Sequence, residues 1–152
     1  LAGRAEIVSR LIEGQFPDYQ KIIPRSHTTR AVLNTAELLR ATKAASVFAR
    51  DNAMIVRLAI TPGSDDSLGR VQVSATAAEV GDNAGEVDAS VEGSEMQIAF
   101  NGRYLRDALE AIDAAQVGLE IVGPTNPGVL KPISETNGYL HVIMPMQINP
   151  GR

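Results

Sequence analysis

Few side chains in this sequence have the chemistry of a catalyst. The histidines are His27 and His141, cysteine is absent, and Ser26 is the only hydroxyl directly preceding a histidine. A hydrolytic triad sets a histidine between a nucleophile and a carboxylate, and no nucleophile-elbow pattern surrounds any serine here. A polar junction suits His27, and a strand position suits His141. Asp65 and Asp66 lie between Gly63 and Gly69, a spacing that fits a hairpin tip and no calcium loop. Gly81, Asp82, Asn83 and Gly85 read as another turn. Neither a GxxxxGK nor a GxGxxG phosphate loop occurs, and without cysteine there is no disulfide or thiolate metal site. The expectation is no catalytic residue, no cofactor and no metal.

Two other kinds of chemistry remain, clustered positive charge and exposed apolar surface. At 100° per residue, Arg40, Lys43 and Arg50 fall within roughly 80° of one another on a helix. A second predicted helix shows Arg103 and Arg106 beside Asp107 and Glu110. Either set can be a solvated face with internal ion pairs or a surface lying along phosphates. No acid shares the basic stripe of the first helix. The apolar surface is residues 139–148 (YLHVIMPMQI), a buried-looking strand running into Met144, Pro145, Met146 and Ile148. A chain end is ordinarily polar and loose. This one either folds into the core or, with Pro145 ending strand pairing, forms a methionine-bearing lip whose unbranched side chains can repack around several partners.

The elements that must position these groups repeat. Residues 31–45 (AVLNTAELLRATKAA) align with residues 98–112 (IAFNGRYLRDALEAI), placing Asn34 on Asn101, Leu38 on Leu105 and Ala41 on Ala108, an offset of 101 minus 34, or 67. Each copy is a strand stopping at an Asn helix cap, then three to four turns of helix. Glu37, three residues after Asn34, approaches a capping box. Leu38, Thr42, Ala45 and Ala49 should bury on the first helix, and Leu105, Ala108, Leu109 and Ile112 on the second. Three strands follow each helix, at 54–60, 70–77 and 86–92, then at 117–121, 129–133 and 139–143. The prediction is an α+β fold of two β-α-β-β-β repeats, at about 28–92 and 95–146, with both helices on one face of an antiparallel sheet.

Before the repeats, residues 5–12 read as a strand, and residues 16–24 (FPDYQKIIP) as a rigid apolar connector held by two prolines. A domain boundary is expected near Pro24, with the chain dividing into 1–24, 25–148 and a tail at 149–152. Leu1 opens inside a strand, so the chain reads as part of a longer one. With 152 residues, 44% hydrophobic and 21% charged, it has the composition of a globular domain rather than a disordered one. No uncharged apolar run approaches the length that spans a bilayer, and a cytoplasmic location is expected. The net charge of -4 excludes a uniformly basic nucleic-acid binder but not a local basic stripe.

FPDYQKIIP and YLHVIMPMQI together resemble the bacterial sliding clamp, the DNA polymerase III beta subunit. The resemblance runs over residues 1–148 and is strongest at SRLIEGQFPDY, the strand and helix at 100–112, and VIMPM. It implies a DNA clamp fold and a non-catalytic processivity factor, the C-terminal part of a homodimeric ring around double-stranded DNA. Residues 1–24 would be the last strand of the middle domain plus a linker. Partners implied are the polymerase III alpha subunit, the clamp loader and repair proteins, which insert short apolar motifs into a cleft. Pro17, Lys21 and Ile22 match one cleft wall, and Val142, Ile143, Met144, Pro145, Met146, Gln147 and Ile148 match another. Arg40, Lys43, Arg103 and Arg106 are the implied DNA-facing groups. Val47 and Phe48 match the subunit contact, with Glu79, Asp82 and Glu86 at its rim. Phe48 lies off the buried stripe and is expected to be exposed. Asn126 and Gly128 stand where relatives carry Val and Ser near the cleft. The competing readings are a hydrolase using a histidine, and a peptide-binding module that never encircles DNA.

Overall fold

The computed structural model describes residues 6–16, 18–51, 53–64, 67–77, 81–134 and 138–147, with backbone alone at 51, 77, 81 and 82. After a short turn of 3-10 helix at Tyr19–Lys21 come β1 (Thr29–Asn34), α1 (Thr35–Phe48), β2 (Ile55–Thr61), β3 (Gly69–Ala77) and β4 (Gly81–Gly93). The second half follows as β5 (Met96–Asn101), α2 (Gly102–Glu110), β6 (Gln116–Ile121), β7 (Gly128–Pro132) and β8 (His141–Ile143). The eight strands form one antiparallel sheet in the order β5-β2-β3-β4-β1-β6-β7-β8.

The repeat read from the sequence is present in the pairing itself. Adding four to each strand number turns β2·β3 into β6·β7, β3·β4 into β7·β8, and β2·β5 into β6·β1. Each half therefore lends its first strand to the second strand of the other, in the registers Val56↔Phe100 and Leu33↔Val117. Neither half has a complete sheet alone. A single buried cluster joins them, with Leu38 and Ala45 from α1, Leu105, Ala108 and Leu109 from α2, and Leu33, Leu58, Phe100, Leu119 and Leu130 from the strands. Leu38 and Leu105 are both fully buried, each stabilising the fold by about 1.5 to 3 kcal/mol.

Local chemistry sets where each helix begins. The Asn34 side-chain oxygen accepts from the Glu37 N–H at 3.0 Å, and the Asn101 oxygen accepts from the N–H groups of Arg103 at 3.0 Å and Tyr104 at 3.4 Å. These bonds satisfy donors that the first helical turn leaves free. Gly102 lets α2 start close to α1, since a Cβ there would lie 2.6 Å from Ser46 Oγ and 2.7 Å from Val56 Cγ2.

The symmetry fails at one pairing. β4 meets β1 over five registered residues, from Thr29↔Gly93 to Leu33↔Ala89. Its counterpart, β8 against β5, makes no ladder. Among the described residues one hydrogen bond remains, Met146 N–H to the Ala99 carbonyl at 2.8 Å. Pro145 has no N–H to extend a ladder, so the next N–H along, that of Met146, makes the bond to the β5 edge.

Several expectations are corrected. Of the strand expected at 5–12, residues 6–12 form none, and Ile7, Val8, Leu11 and Ile12 are exposed, because an apolar segment becomes a strand only against a partner edge. Gly81, Asn83 and Gly85 are not a turn but the start of β4, paired as far as Ala77↔Gly81. α2 has only nine residues, so the second helix is about two and a half turns long. β8 begins at His141 rather than Tyr139. The predicted hairpin tip at Asp65 and Asp66 lies outside the described residues.

Candidate functional site

A cleft of about 550 Å³ lies where the connector meets the last strand. Its walls are Tyr19, Ile22 and Ile23 on one side and Gly138, Tyr139, Leu140 and Val142 on the other. The connector is shaped by its own contacts. Ile22 N–H donates to the Tyr19 carbonyl at 3.0 Å, Phe16 and Tyr19 meet edge to face with ring centres 6.5 Å apart, and Lys21 Nζ pairs with Asp18 at 3.3 Å. Ile22 is half exposed. An apolar cleft with two tyrosines at its border suits a short apolar segment entering with a polar backbone.

Of the cleft residues drawn from the sequence, Ile22 and Val142 line this cavity. Lys21 does not, and its ammonium turns to Asp18. Ile143 is 3% exposed and belongs to the core, opposite Gly128 in the β7·β8 register, so its side chain is closed to any partner. Met144 is 62% exposed, Pro145 and Met146 are half-buried, and Gln147 is exposed. Pro17 and Ile148 lie outside the described residues. The tail is thus neither wholly core nor a free lip. Tyr19, Ile23, Gly138, Tyr139 and Leu140 were missed, although period-two alternation from the inward Ile143 places Val142 and Leu140 on the other face.

Helices α1 and α2 lie side by side, and their outer sides carry the charges. Lys43 Nζ meets Glu110 Oε1 across the helices at 2.7 Å. Arg106 donates to Asp107 Oδ1 from Nε at 3.2 Å and Nη2 at 2.8 Å. That hydrogen bond, opposed by desolvation and helped by the charges of Asp107 and Glu110, raises the Arg106 pKa above its ordinary value. Among the described residues, Arg40 and Arg103 have no ion pair. The expectation that no acid shares the basic stripe of the first helix is therefore corrected, since Glu110 reaches it from the neighbouring helix. Sequence distance hid this, because the pair is brought together only by helix packing.

At the end of α1, Val47 is 57% exposed. Phe48 is not the exposed aromatic expected, but packs partly buried against the core. An apolar stripe is at least about 100° wide, and Phe48 stands at its margin, roughly 60° from Ala45. Glu86 pairs with Arg70 at 3.4 Å. Glu79 and the Asp82 side chain lie outside what is described.

The histidines have ordinary partners. His27 Nδ1 lies 3.9 Å from Glu120 Oε2, a carboxylate also met by Lys131 at 2.6 Å and Arg30 at 3.7 Å. His141 Nδ1 lies 3.4 Å from the Tyr139 hydroxyl. Ser26 bonds to neither histidine. Among the described residues no group of His, Asp and Glu could hold a metal ion, and no helix is long and apolar enough to cross a membrane.

Residues 20–147 match the family model described as DNA polymerase III beta subunit, C-terminal domain. The chain is 34% identical over 146 residues to a beta sliding clamp of Staphylococcus aureus, covering 95% of this chain and 37% of that protein. It is 32% identical to the Staphylococcus epidermidis beta sliding clamp over the same length. Among solved structures, the Thermotoga maritima DNA polymerase III beta subunit superposes with a TM-score of 0.83 at 26% identity, over 92% of this chain and 36% of that one. The Bacillus subtilis DNA polymerase sliding clamp gives 0.82 at 27% identity, over 93% and 36%. The chain spans little more than a third of the length of the relatives it matches.

Proposed function

From a chain that belongs to the DNA polymerase III beta-subunit family, as its C-terminal domain, we infer the working part of a ring-shaped processivity clamp. In this reading the helix layer faces duplex DNA and the cleft faces protein partners. Residues 1–24 are the end of a preceding clamp domain, and residues 25–148 the C-terminal domain. The clamp itself does no bond chemistry. It works in the bacterial cytoplasm as a homodimer, closed in part through Val47 and Phe48 with Glu79, Asp82 and Glu86 at the rim.

The observation that carries the reading is the doubled unit, which lays two helices side by side and offers Arg40 and Arg103 from one face of a molecule whose net charge is -4. A closed ring cannot leave DNA without opening, so its phosphate contacts can be weak and still hold. Two free cations and two ion-paired ones suit that demand. The cleft supplies the second activity. Two or three apolar anchors gain about 1.5 to 3 kcal/mol each before ordering costs, which gives micromolar-scale affinity for a short motif from the polymerase alpha subunit, clamp loader or repair proteins.

The test is a pair of titrations on this chain, one with a labelled 30-base-pair duplex at low salt and one with a labelled pentapeptide carrying leucine and phenylalanine. Both saturate if the reading holds. Peptide binding with no duplex binding at 20 mM salt favours a peptide-binding module instead, a reading supported by Lys43 and Arg106 being already paired.

A further inference from the structure

The ion pair between the helices joins the same position of the two repeats. Lys43 and Glu110 are separated by the repeat offset, 110 minus 43 being 67, and their side chains meet at 2.7 Å. In a two-fold arrangement a residue touches its own equivalent only near the axis relating the halves. The pair therefore sits at the middle of the helix layer, where a phosphate lying across both helices would come closest. A second lysine there would repel Lys43 and deepen the positive potential. Glutamate removes it.

We propose that Glu110 is a brake on nucleic-acid contact: it holds the Lys43 ammonium out of reach of phosphate, so that the helix face grips the duplex through Arg40 and Arg103 and releases it readily. The proposal rests on the DNA-facing reading of that face. Both partners are about half exposed, at 52% and 45% for the side chains, so neither is locked by burial, and the geometry is set by mutual attraction. Asp107 restrains Arg106 in the same way at 2.8 Å. The four cations Arg40, Lys43, Arg103 and Arg106 thus face two carboxylates, and only the unpaired two are immediately available to phosphate. Freeing Lys43 adds one phosphate contact, which steepens the slope of log affinity against log salt by about 0.9. Over a tenfold change of salt that is about an eight-fold difference in the gain.

The experiment measures duplex affinity of the chain by fluorescence anisotropy with a labelled 30-base-pair DNA, from 20 to 200 mM salt. Glu110→Gln should bind several-fold tighter at 20 mM, with the steeper slope, and Lys43→Gln added to it should abolish the gain. Lys43→Gln alone should change little. Glu37→Gln removes an unpaired acid from α1 and serves as the control for net charge. An equal gain from Glu37→Gln overturns the proposal, because the effect is then one of overall charge. No gain from Glu110→Gln, while Arg40→Gln and Arg103→Gln weaken binding, overturns the brake and leaves the DNA-facing surface standing. Indifference to Arg40→Gln and Arg103→Gln, or no binding at 20 mM salt, removes the surface and the brake with it.

Discussion

The strand that carries one wall of the cleft is braced by a contact with no slack, and Gly128→Ala should expose it. A Cβ at Gly128 would lie 2.6 Å from Phe100 Cζ, 3.2 Å from Phe100 Cε1 and 3.6 Å from Ile143 Cγ2. Phe100 is fully buried and Ile143 nearly so, so the ring must shift within a packed core to admit the methyl. Overpacking of this kind costs about 1 to 3 kcal/mol. Gly128 is not in the left-handed region, so alanine also gains about 0.4 to 1 kcal/mol by restricting the unfolded chain. The contact should outweigh that gain, leaving a net loss of about 1 to 2 kcal/mol. For a chain of this size each kcal/mol lowers Tm by about 2 to 4 °C, so the melt followed by circular dichroism should fall by several degrees. Because Gly128 pairs with Ile143 across β7·β8, the same change should weaken peptide binding in the cleft. Phe100→Leu removes the ring tip that the new methyl strikes. The double variant should therefore lose less than the sum of the two single losses. A melt for Gly128→Ala at or above that of the unaltered chain would show that the contact relaxes freely and that the bracing argument is wrong.

Other expectations follow from the same geometry. Asn101→Ala removes the acceptor for two helix-start donors and should cost about 1 kcal/mol, with Asn34→Ala similar or smaller; urea denaturation measures both. Ile22→Ala should leave the melt nearly unchanged, since the residue is half exposed, yet weaken pentapeptide binding by roughly ten-fold if it anchors a partner, about 1.4 kcal/mol. Glu110→Gln should shift stability by less than about 0.5 kcal/mol, as an exposed pair contributes little, so its effect on DNA affinity is read on an intact fold.

Much of the architecture was legible because repetition is a sequence property. Asn34 and Asn101 mark both helix starts, and Leu38 and Leu105 mark both buried stripes, at one offset. Alternation likewise exposed β3 and the second part of β4. What the sequence could not carry was pairing that depends on a distant edge. Residues 6–12 carry the apolar pairs Ile7-Val8 and Leu11-Ile12 and read as a strand but join no sheet, while the glycines at the start of β4 look like a turn and are held in the sheet by β3 through Ala77↔Gly81. The site was legible by segment rather than by residue. FPDYQKIIP and YLHVIMPMQI do meet, but Tyr19, Tyr139 and Leu140 line the cleft where Lys21 and Ile143 had been expected. Which side chains of a segment face a cavity depends on where its regular structure begins, and β8 starts two residues later than alternation suggested. The pairing of Lys43 with Glu110 was hidden for a simpler reason: nothing in either helix alone announces its neighbour.

The most direct test of two separate surfaces is nitrogen-15 chemical-shift mapping on the 152-residue chain, with duplex DNA and the apolar pentapeptide titrated in turn. DNA should move amides of α1 and α2 around Arg40, Lys43, Arg103 and Arg106, with residues 19–23 and 138–142 still. The peptide should do the reverse. Peptide shifts centred on the helices, or DNA shifts spread over the outer sheet with the helices silent, would refute a clamp domain that faces DNA with its helices and its partners with its cleft.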